Sequence, residues 1–487
     1  MFAMAQPPQD NTPTYPSGAT YVLSNGSTVT KTGESLSCST QYYNVVQVSN
    51  GNLTLSGCTL SKTGSGSSGD NSSFYGNNST IYAGSASSSG NNSTSSATSA
   101  VINISNCTIT SSSQGANAVF ATNGATINVD GVTITNNSSV SRGLHATYGG
   151  VINASNVNIT TNEATSSTIA TDRGGGTVTV NGGTATANGS KSAVIYSTGT
   201  MSATDLTGTS SQGEIAVIEG DNSIAMTDCE MTSGSSERGL LMMQSGSGDA
   251  SGVNPVMTIT GTSLTMTDNS APLLEVATCV NATCTLDGCT LTVPSGVIMY
   301  VMDDSQWSTS GAVGNLILSN GDYTGTVKQD NGYTANITVQ STATWNLTAN
   351  TTVTTLVNNG TINCNGYTLT YTSLSGNGTI NSNGGTNGIE DVEMEQIVND
   401  LRVFTIDGRY LGTAPSRSSA RPSGRRTRPS SNTAPATTPP PSRRPTRSAT
   451  SSTPRCATPS RPTPSSPSPR PHPRAEPLLK VIKCHRP

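Results

Sequence analysis

Asp172, Glu219 and His145 lie in the repetitive part of the chain and are of types that could support catalysis. Glycoside hydrolases use two carboxyl groups, about 5–5.5 Å apart in retaining enzymes and about 6.5–9.5 Å apart in inverting ones. The repeat described below predicts that Asp172 and Glu219 lie two coils apart, at about 9.6 Å for strands ~4.8 Å apart. That separation is at the limit for an inverting pair. The catalytic residues therefore stay unassigned, with Asp172 and Glu219 as candidates.

The third apolar segment of each repeat also predicts an outward row of side chains that could bind a ligand. Side chains alternate between the two faces of a strand, so the neighbours of inward apolar residues point outward. This places Phe120, His145, Tyr196 and Glu219 on one ridge, which we predict to contact sugar. The alternative is a solvated face with scattered polar residues, and a lone histidine such as His145 is more often structural than catalytic.

The cysteines predict buried thiols rather than a metal site. Cys279, Cys284 and Cys289 are close in sequence, but no histidine accompanies them and they lack Cys-x-x-Cys spacing. One repeat position holds cysteine in four units and valine or leucine in others, as expected for a small buried apolar side chain. Its cysteines are Cys58, Cys107, Cys229 and Cys289. We predict no metal and no cofactor, except that Ca²⁺ is possible if the protein is a polysaccharide lyase.

The elements that must position these residues are short repeated strands. The stretch ATINVDGVTITNN (125–137) alternates apolar residues around an Asp-Gly pair, which read alone indicates a hairpin. Related units begin at Val101, Thr126, Val151, Thr177, Thr200 and Ser223, at spacings of 25, 25, 26, 23 and 23 residues. A fixed period in this range indicates a repeat architecture. The Asp-Gly pair is therefore predicted to be a bend between two sheets and not a hairpin tip.

Three short strands per coil cannot bury a core alone, whereas stacked coils enclose one continuous apolar interior. The sequence thus predicts an all-β fold, a parallel β-helix with three sheets and about 25 residues per coil. It covers residues 19–386, with a low-complexity insertion at 61–97.

The net charge differs sharply between three parts of the chain. The 487 residues have a formal net charge of −4, but residues 1–386 carry −14, residues 387–412 carry −4 and residues 413–487 carry +14. The last segment is rich in Pro, Arg and Ser, and its interpretations are a disordered basic tail, a linker and a frame-shifted translation. It lacks aromatic residues for base stacking, so no specific nucleic-acid binding is predicted.

The start of the chain indicates export. Within residues 1–18, the sequence AMAQ resembles the end of a signal peptide with its Ala-x-Ala cleavage site, although the apolar segment that should precede it is missing. No apolar run of about 18 residues occurs, so no transmembrane helix is predicted.

Residues 19–386 resemble right-handed parallel β-helix proteins of bacterial surfaces, and ATWNLTANTTVTTLVNNGTINCNGYTLT (343–370) looks like the closing coils of autotransporter-like adhesins. The stretch VFTIDGRYL (403–411) resembles the start of the C-terminal sorting domain of type IX secretion in Bacteroidetes, but the part after residue 412 departs from that pattern. The resemblance implies that the β-helix is right-handed and that the protein lies on the extracellular side of the outer membrane.

These observations predict a secreted, cell-surface, adhesin-like protein that is not an enzyme. It would be monomeric and would present loops and one outward ridge to a polysaccharide or glycoprotein surface. Two alternatives stay open. One is a polysaccharide lyase or glycoside hydrolase acting in a β-helix groove, and the other is a passive structural stalk.

Overall fold

The computed structural model describes residues 15–67, 69–84, 100–245, 250–278, 280–303 and 311–382, together with strands at 402–404, 410–413 and 480–482. The predictions for residues 1–14 and for most of 383–487 lie outside the described residues, as does Cys279. The fold is the right-handed parallel β-helix that the repeat and the resemblance predict.

One short helix and many short strands make up the described chain. The helix is α1 (Asp70–Tyr75). The described strands, in chain order, are β1 (Gly18–Leu23), β2 (Thr28–Thr32), β3 (Ser35–Cys38), β4 (Tyr43–Val48), β5 (Gly51–Ser56), β6 (Thr59–Lys62), β7 (Ile81–Ala83), β8 (Ala100–Ser105), β9 (Thr108–Ser111), β10 (Val119–Ala121), β11 (Thr126–Asp130), β12 (Thr133–Asn136), β13 (Leu144–Ala146), β14 (Gly150–Thr161), β15 (Ile169–Thr171), β16 (Gly176–Ala187), β17 (Ile195–Ser197), β18 (Thr200–Ser210), β19 (Ala216–Glu219), β20 (Ser223–Thr227), β21 (Glu230–Ser233), β22 (Leu240–Met243), β23 (Val256–Thr260), β24 (Ser263–Met266), β25 (Leu274–Val276), β26 (Asn281–Asp287), β27 (Thr290–Thr292), β28 (Val297–Val301), β29 (Val313–Ser319), β30 (Asp322–Thr324), β31 (Thr326–Gln329), β32 (Thr334–Val339), β33 (Thr344–Asn346), β34 (Thr351–Asn358), β35 (Thr361–Asn363), β36 (Leu369–Ser375), β37 (Thr379–Asn381), β38 (Arg402–Phe404), β39 (Tyr410–Thr413) and β40 (Lys480–Ile482).

Most coils contribute one strand to each of three sheets. The first sheet has 12 strands, β1, β4, β7, β10, β13, β15, β17, β19, β22, β25, β28 and β31. The second sheet begins with β2, β5, β8 and β11, and the third with β3, β6, β9 and β12. These two sheets join where β14, β16 and β18 continue around the corner as single strands. In the last coils the sheet β30, β33, β35 and β37 takes the third position.

The predicted bend at the Asp-Gly pair is confirmed. Strand β11 pairs in parallel with β8 and β14, and β12 pairs in parallel with β9 and β14, so the two strands on either side of the pair belong to different sheets. Gly131 has a φ of 61°, a left-handed backbone conformation that suits glycine.

The interior is a single apolar core that runs through the stacked coils. Alternate residues of the strands point inward, and the described cysteines of the repeat are buried there as predicted, with Cys58 1% and Cys107 2% exposed. Burial raises the pKa of the Cys107 thiol, and burial together with neighbouring Cys289 raises that of Cys284 to about 12. These thiols pack as small apolar side chains.

The stretch 61–97 is partly regular in its described residues. Thr59–Lys62 forms β6, α1 follows, and β7 pairs with β4 and β10 in the first sheet.

Toward the C-terminus, β38 and β39 form an antiparallel pair and β40 pairs antiparallel with β36. No helix in the described ranges is long and apolar enough to cross a membrane.

Candidate functional site

The predicted ridge is a column on the outer face of the first sheet. Phe120 is paired in register with His145, His145 with Ala170, and Ala170 with Tyr196. The rings of Phe120 and His145 lie 5.1 Å apart between centroids. The sequence therefore identified residues that the fold does bring together, three of them in one column.

This column does not face solvent where it was expected to. Phe120 and His145 are both 0% exposed, and Tyr196 is half-buried. The prediction treated an outward side chain as an exposed one. A second layer lies over the sheet instead, so Phe120 and His145 cannot contact a large ligand in this arrangement.

That second layer is residues 69–79, which we call the cover segment. Arg142 Nη1 donates to Ser73 Oγ at 2.6 Å, and Thr147 Oγ1 donates to the Phe74 carbonyl at 2.9 Å. The Arg173 guanidinium lies 3.9 Å from the centre of the Phe74 ring, a cation–π contact. These contacts attach the cover segment to two successive coils, those of β13 and β15.

Tyrosine stacking also holds the cover segment on the sheet. The ring of Tyr75 in the cover segment stacks on that of Tyr148, with 5.8 Å between the ring centroids. Tyr82 also stacks on Phe120 at 5.8 Å. The outer face of the first sheet thus carries a small aromatic core of its own beneath the cover segment.

His145 is held neutral within this layer. Burial, and secondarily the nearby Arg142 charge, keep its pKa well below the ordinary value. Its Nε2 lies 4.0 Å from Asp172 Oδ2, which is too far for a hydrogen bond. Neither ring nitrogen has a hydrogen-bond partner in the described part of the chain. A neutral, fully buried imidazole has no route to exchange protons with a bound substrate.

The candidate carboxylates belong to separate networks. Asp172 follows β15 and Glu219 ends β19, with β17 between them, so they are two coils apart as predicted. Asp172 accepts from the Arg173 amide at 2.9 Å and lies 3.7 Å from Arg142. Both carboxylates are at most 5% exposed.

Glu219 is held by other groups. Its Oε1 accepts from Tyr196 Oη at 2.6 Å, and its Oε2 accepts from Ser245 Oγ at 2.8 Å. Tyr196 and Glu219, two of the predicted ligand-binding residues, therefore bind one another. In the described residues, no group of three or more His, Cys, Asp or Glu side chains is placed to hold a metal ion.

A different surface contains a shallow depression. A shallow groove of about 370 Å³ crosses four coils on the outer face of the second sheet. Its polar lining residues are Asn103, Ser105, Asn128, Asp130, Asn153, Ser155 and Thr179. We call this the amide groove. It is open because these positions point outward and are half-buried or exposed in the pleated sheet.

Three asparagines on successive coils form its floor. Asn103, Asn128 and Asn153 are in register on β8, β11 and β14. Asn128 Nδ2 donates to Asn103 Oδ1 at 2.9 Å, and Asn153 Nδ2 donates to Asn128 Oδ1 at 3.0 Å. Asn103 Nδ2 also donates to Asn52 Oδ1 at 3.1 Å, although Asn52 lies two residues out of register with Asn103, opposite Val101.

Asp130 is the charged residue of the groove lining. It accepts from Ser155 Oγ at 2.6 Å and from Asn156 Nδ2 at 3.3 Å. The hydrogen bond from Ser155, followed by that from Asn156, lowers the pKa of Asp130. The groove therefore carries one negative charge at neutral pH.

The amide groove was missed by sequence reasoning although its signal was present. The units VINISN, TINVDG and VINASN each place asparagine at the same outward position. Comparisons of the chain found no matching family model, no matching curated protein and no matching solved structure. Its function is therefore inferred from the geometry of the site.

Proposed function

We propose that this chain is an exported, cell-surface β-helix protein that binds glycans and does not cleave them. The observation that carries the proposal is the amide groove, an open surface lined by amide and hydroxyl groups and one carboxylate. Sugars offer hydroxyl groups that both donate and accept, and such groups match asparagine side chains. The signal-peptide-like start and the stretch that resembles a type IX sorting domain support the proposed location.

The burial of Asp172 and Glu219 supports a binding role over catalysis. An inverting pair needs a water and a sugar ring between its carboxyl groups, whereas these two carboxylates bind Arg142 and the Arg173 amide on one side and Tyr196 and Ser245 on the other.

The test uses the full chain on immobilised plant, microbial and mucin polysaccharides, with and without Ca²⁺. Retained protein and newly formed chain ends are both measured. We expect retention on at least one polysaccharide and no new chain ends. The double substitution Asn128→Ala with Asn153→Ala should weaken retention about tenfold, because each net hydrogen bond contributes about 0.5–1.5 kcal/mol.

The matched control is Thr135→Ala with Thr160→Ala, which changes outward residues of the same two coils on the third sheet. It should leave retention unchanged. New chain ends that disappear in Asp172→Asn or Glu219→Gln would overturn the proposal in favour of an enzyme. Retention on none of the polysaccharides would overturn it in favour of a passive stalk.

A further inference from the structure

We infer that the amide groove binds a linear, neutral, extended polysaccharide that lies along the coil axis, with successive sugars on successive coils. This inference rests on the proposed glycan-binding function. It adds the charge, the shape and the direction of the ligand.

The direction follows from the in-register stacking of the coils. Asn103, Asn128 and Asn153 recur once per coil at the same position of the strand, and parallel neighbouring strands lie about 4.8 Å apart. A fully extended, β-1,4-linked pyranose chain advances by a similar distance per sugar. One sugar can therefore meet one asparagine over the length of the row. The groove crosses four coils, with asparagines on three of them and Thr179 in register on the fourth, so it suits on the order of four sugars at ~4.8 Å each.

The chemistry follows from what the asparagines leave unused. A side-chain amide has two N–H donors and an oxygen with two lone pairs. Asn103 and Asn128 each use one donor and one lone pair in hydrogen bonds to neighbouring asparagines. Each retains one donor and one lone pair for a ligand. A hydroxyl group satisfies both, whereas a phosphate only accepts and an ammonium only donates.

The charge of the ligand follows from Asp130 and its surroundings. Asp130 is exposed at the edge of the row, and its lowered pKa keeps it ionised. Residues 1–386 as a whole carry a formal charge of −14. A polyanionic chain would be repelled by Asp130 in the groove and by the net negative charge of the protein around it. A neutral polysaccharide is repelled by neither.

The groove lining includes no aromatic side chain. Binding would then depend on hydrogen bonds to hydroxyl groups at the edges of the sugars rather than on ring stacking. Because each added sugar adds similar contacts, affinity should grow with chain length up to the length of the row.

The experiment is a titration of the full chain with oligomers of one to eight sugars, in three series: β-1,4-linked glucose, α-1,4-linked glucose and β-1,4-linked mannuronate. In the first series the Kd should fall with each sugar up to about four and then level off, as expected from the ~4.8 Å coil spacing. The helical α-linked series should bind at least fivefold more weakly at four sugars. The anionic series should bind at least tenfold more weakly at low salt and partly recover in Asp130→Asn.

Two variants locate the effect. Asn103→Ala should weaken binding of the β-linked tetramer, and Thr135→Ala on the third sheet of a neighbouring coil should not. Equal affinity for the α- and β-linked tetramers, no dependence on length, or tighter binding of mannuronate would overturn the inference. If such results accompany retention on the polysaccharide panel that depends on Asn128 and Asn153, the proposed function stands and only the extended, neutral ligand is rejected.

Discussion

At the scale of single residues, the corner between the second and third strand of most coils is fixed by one left-handed residue. Eleven such corners are described, with φ between 49° and 72°. They are Gly33, Gly57, Asn106, Gly131, Asn156, Gly182, Asp205, Asp228, Gly261, Gly288 and Asn320. Only glycine, asparagine and aspartate occur there, because other side chains clash with the backbone in this region.

We expect Gly131→Val to destabilise the protein and Gly131→Asn to be better tolerated. The left-handed conformation costs an ordinary L-residue about 1–2 kcal/mol, and asparagine adopts it more readily. A Cβ at Gly131 would lie 2.8 Å from Asn106 Oδ1 in both variants, so their difference isolates the backbone term. Urea unfolding would measure it. Equal unfolding midpoints for the two variants would contradict this account of the corner.

The lowered pKa of His145 predicts that the stability of the protein depends on pH. Its pKa is lowered in the folded state below the unfolded value of about 6.5, so the unfolded chain takes up the proton first. The free energy of unfolding should therefore fall as the pH drops below about 6.5, by up to about 1.4 kcal/mol per pH unit, until the lowered pKa is reached.

The measurement compares wild type with His145→Gln by urea unfolding at pH 7.5 and pH 5. The substitution removes the titrating group, while other acid-sensitive groups remain in both proteins. We expect the stability of wild type relative to the variant to decline at pH 5. A difference that does not change with pH would show that His145 is not held neutral.

At the scale of elements, the cover segment depends on Phe74. This ring is 2% exposed and lies against Arg173, and burying such a side chain stabilises by about 1.5–3 kcal/mol. Phe74→Ser should detach the cover segment while the coils remain folded. Subtilisin should then cleave within residues 69–79 at least tenfold faster, with an unchanged far-UV circular dichroism spectrum.

The control for this substitution is Tyr367→Ser, which removes an aromatic side chain that is 37% exposed. It should leave the cleavage rate of the cover segment at the wild-type value. Equal rates for Phe74→Ser and wild type would mean that hydrogen bonds such as Arg142 to Ser73 suffice to hold the segment.

The sequence predicts how the strands are oriented and aligned, but it does not predict the cover segment. Alternation and period place Cys58 and Cys107 inward and Phe120 beside His145, because both patterns are local properties of a strand and its copy. They do not reveal a second layer, since no periodicity links the cover segment to the coils it contacts. The available signal is chemical. Phe74 and Tyr75 are adjacent aromatics within a stretch of serine, glycine and asparagine.

The amide groove could be predicted only in part from the sequence. Asn103, Asn128 and Asn153 occupy equivalent positions, so their column follows from the repeat alone. The hydrogen bonds between them and the depth of the groove depend on side-chain orientation, which the period does not determine.

At the scale of the whole molecule, a coil is the unit of folding. Each coil contacts its neighbours above and below, so removal of one complete coil should leave the others able to stack. Thr177 and Thr200 are in register, and deletion of residues 177–199 therefore joins Gly176 to an equivalent position. We expect this variant to be soluble and to unfold cooperatively.

Deletion of residues 177–188 provides the contrast. It removes only part of a coil and shifts the remaining strands out of register, which moves apolar side chains to the wrong face. We expect insoluble or non-cooperative protein, measured by soluble yield and thermal melting. If both deletions behave alike, the coil is not the folding unit.

The stretch between β6 and β8 shows how the coils accept additional sequence. Val101 follows Asn52 by 49 residues and Thr126 follows Val101 by only 25, yet both pairs are in register. The apolar interior is thus independent of the length of chain between these coils. This junction is a natural position for grafting a foreign peptide or a small domain, and the protein could serve as a display scaffold whose payload changes without redesign of its core.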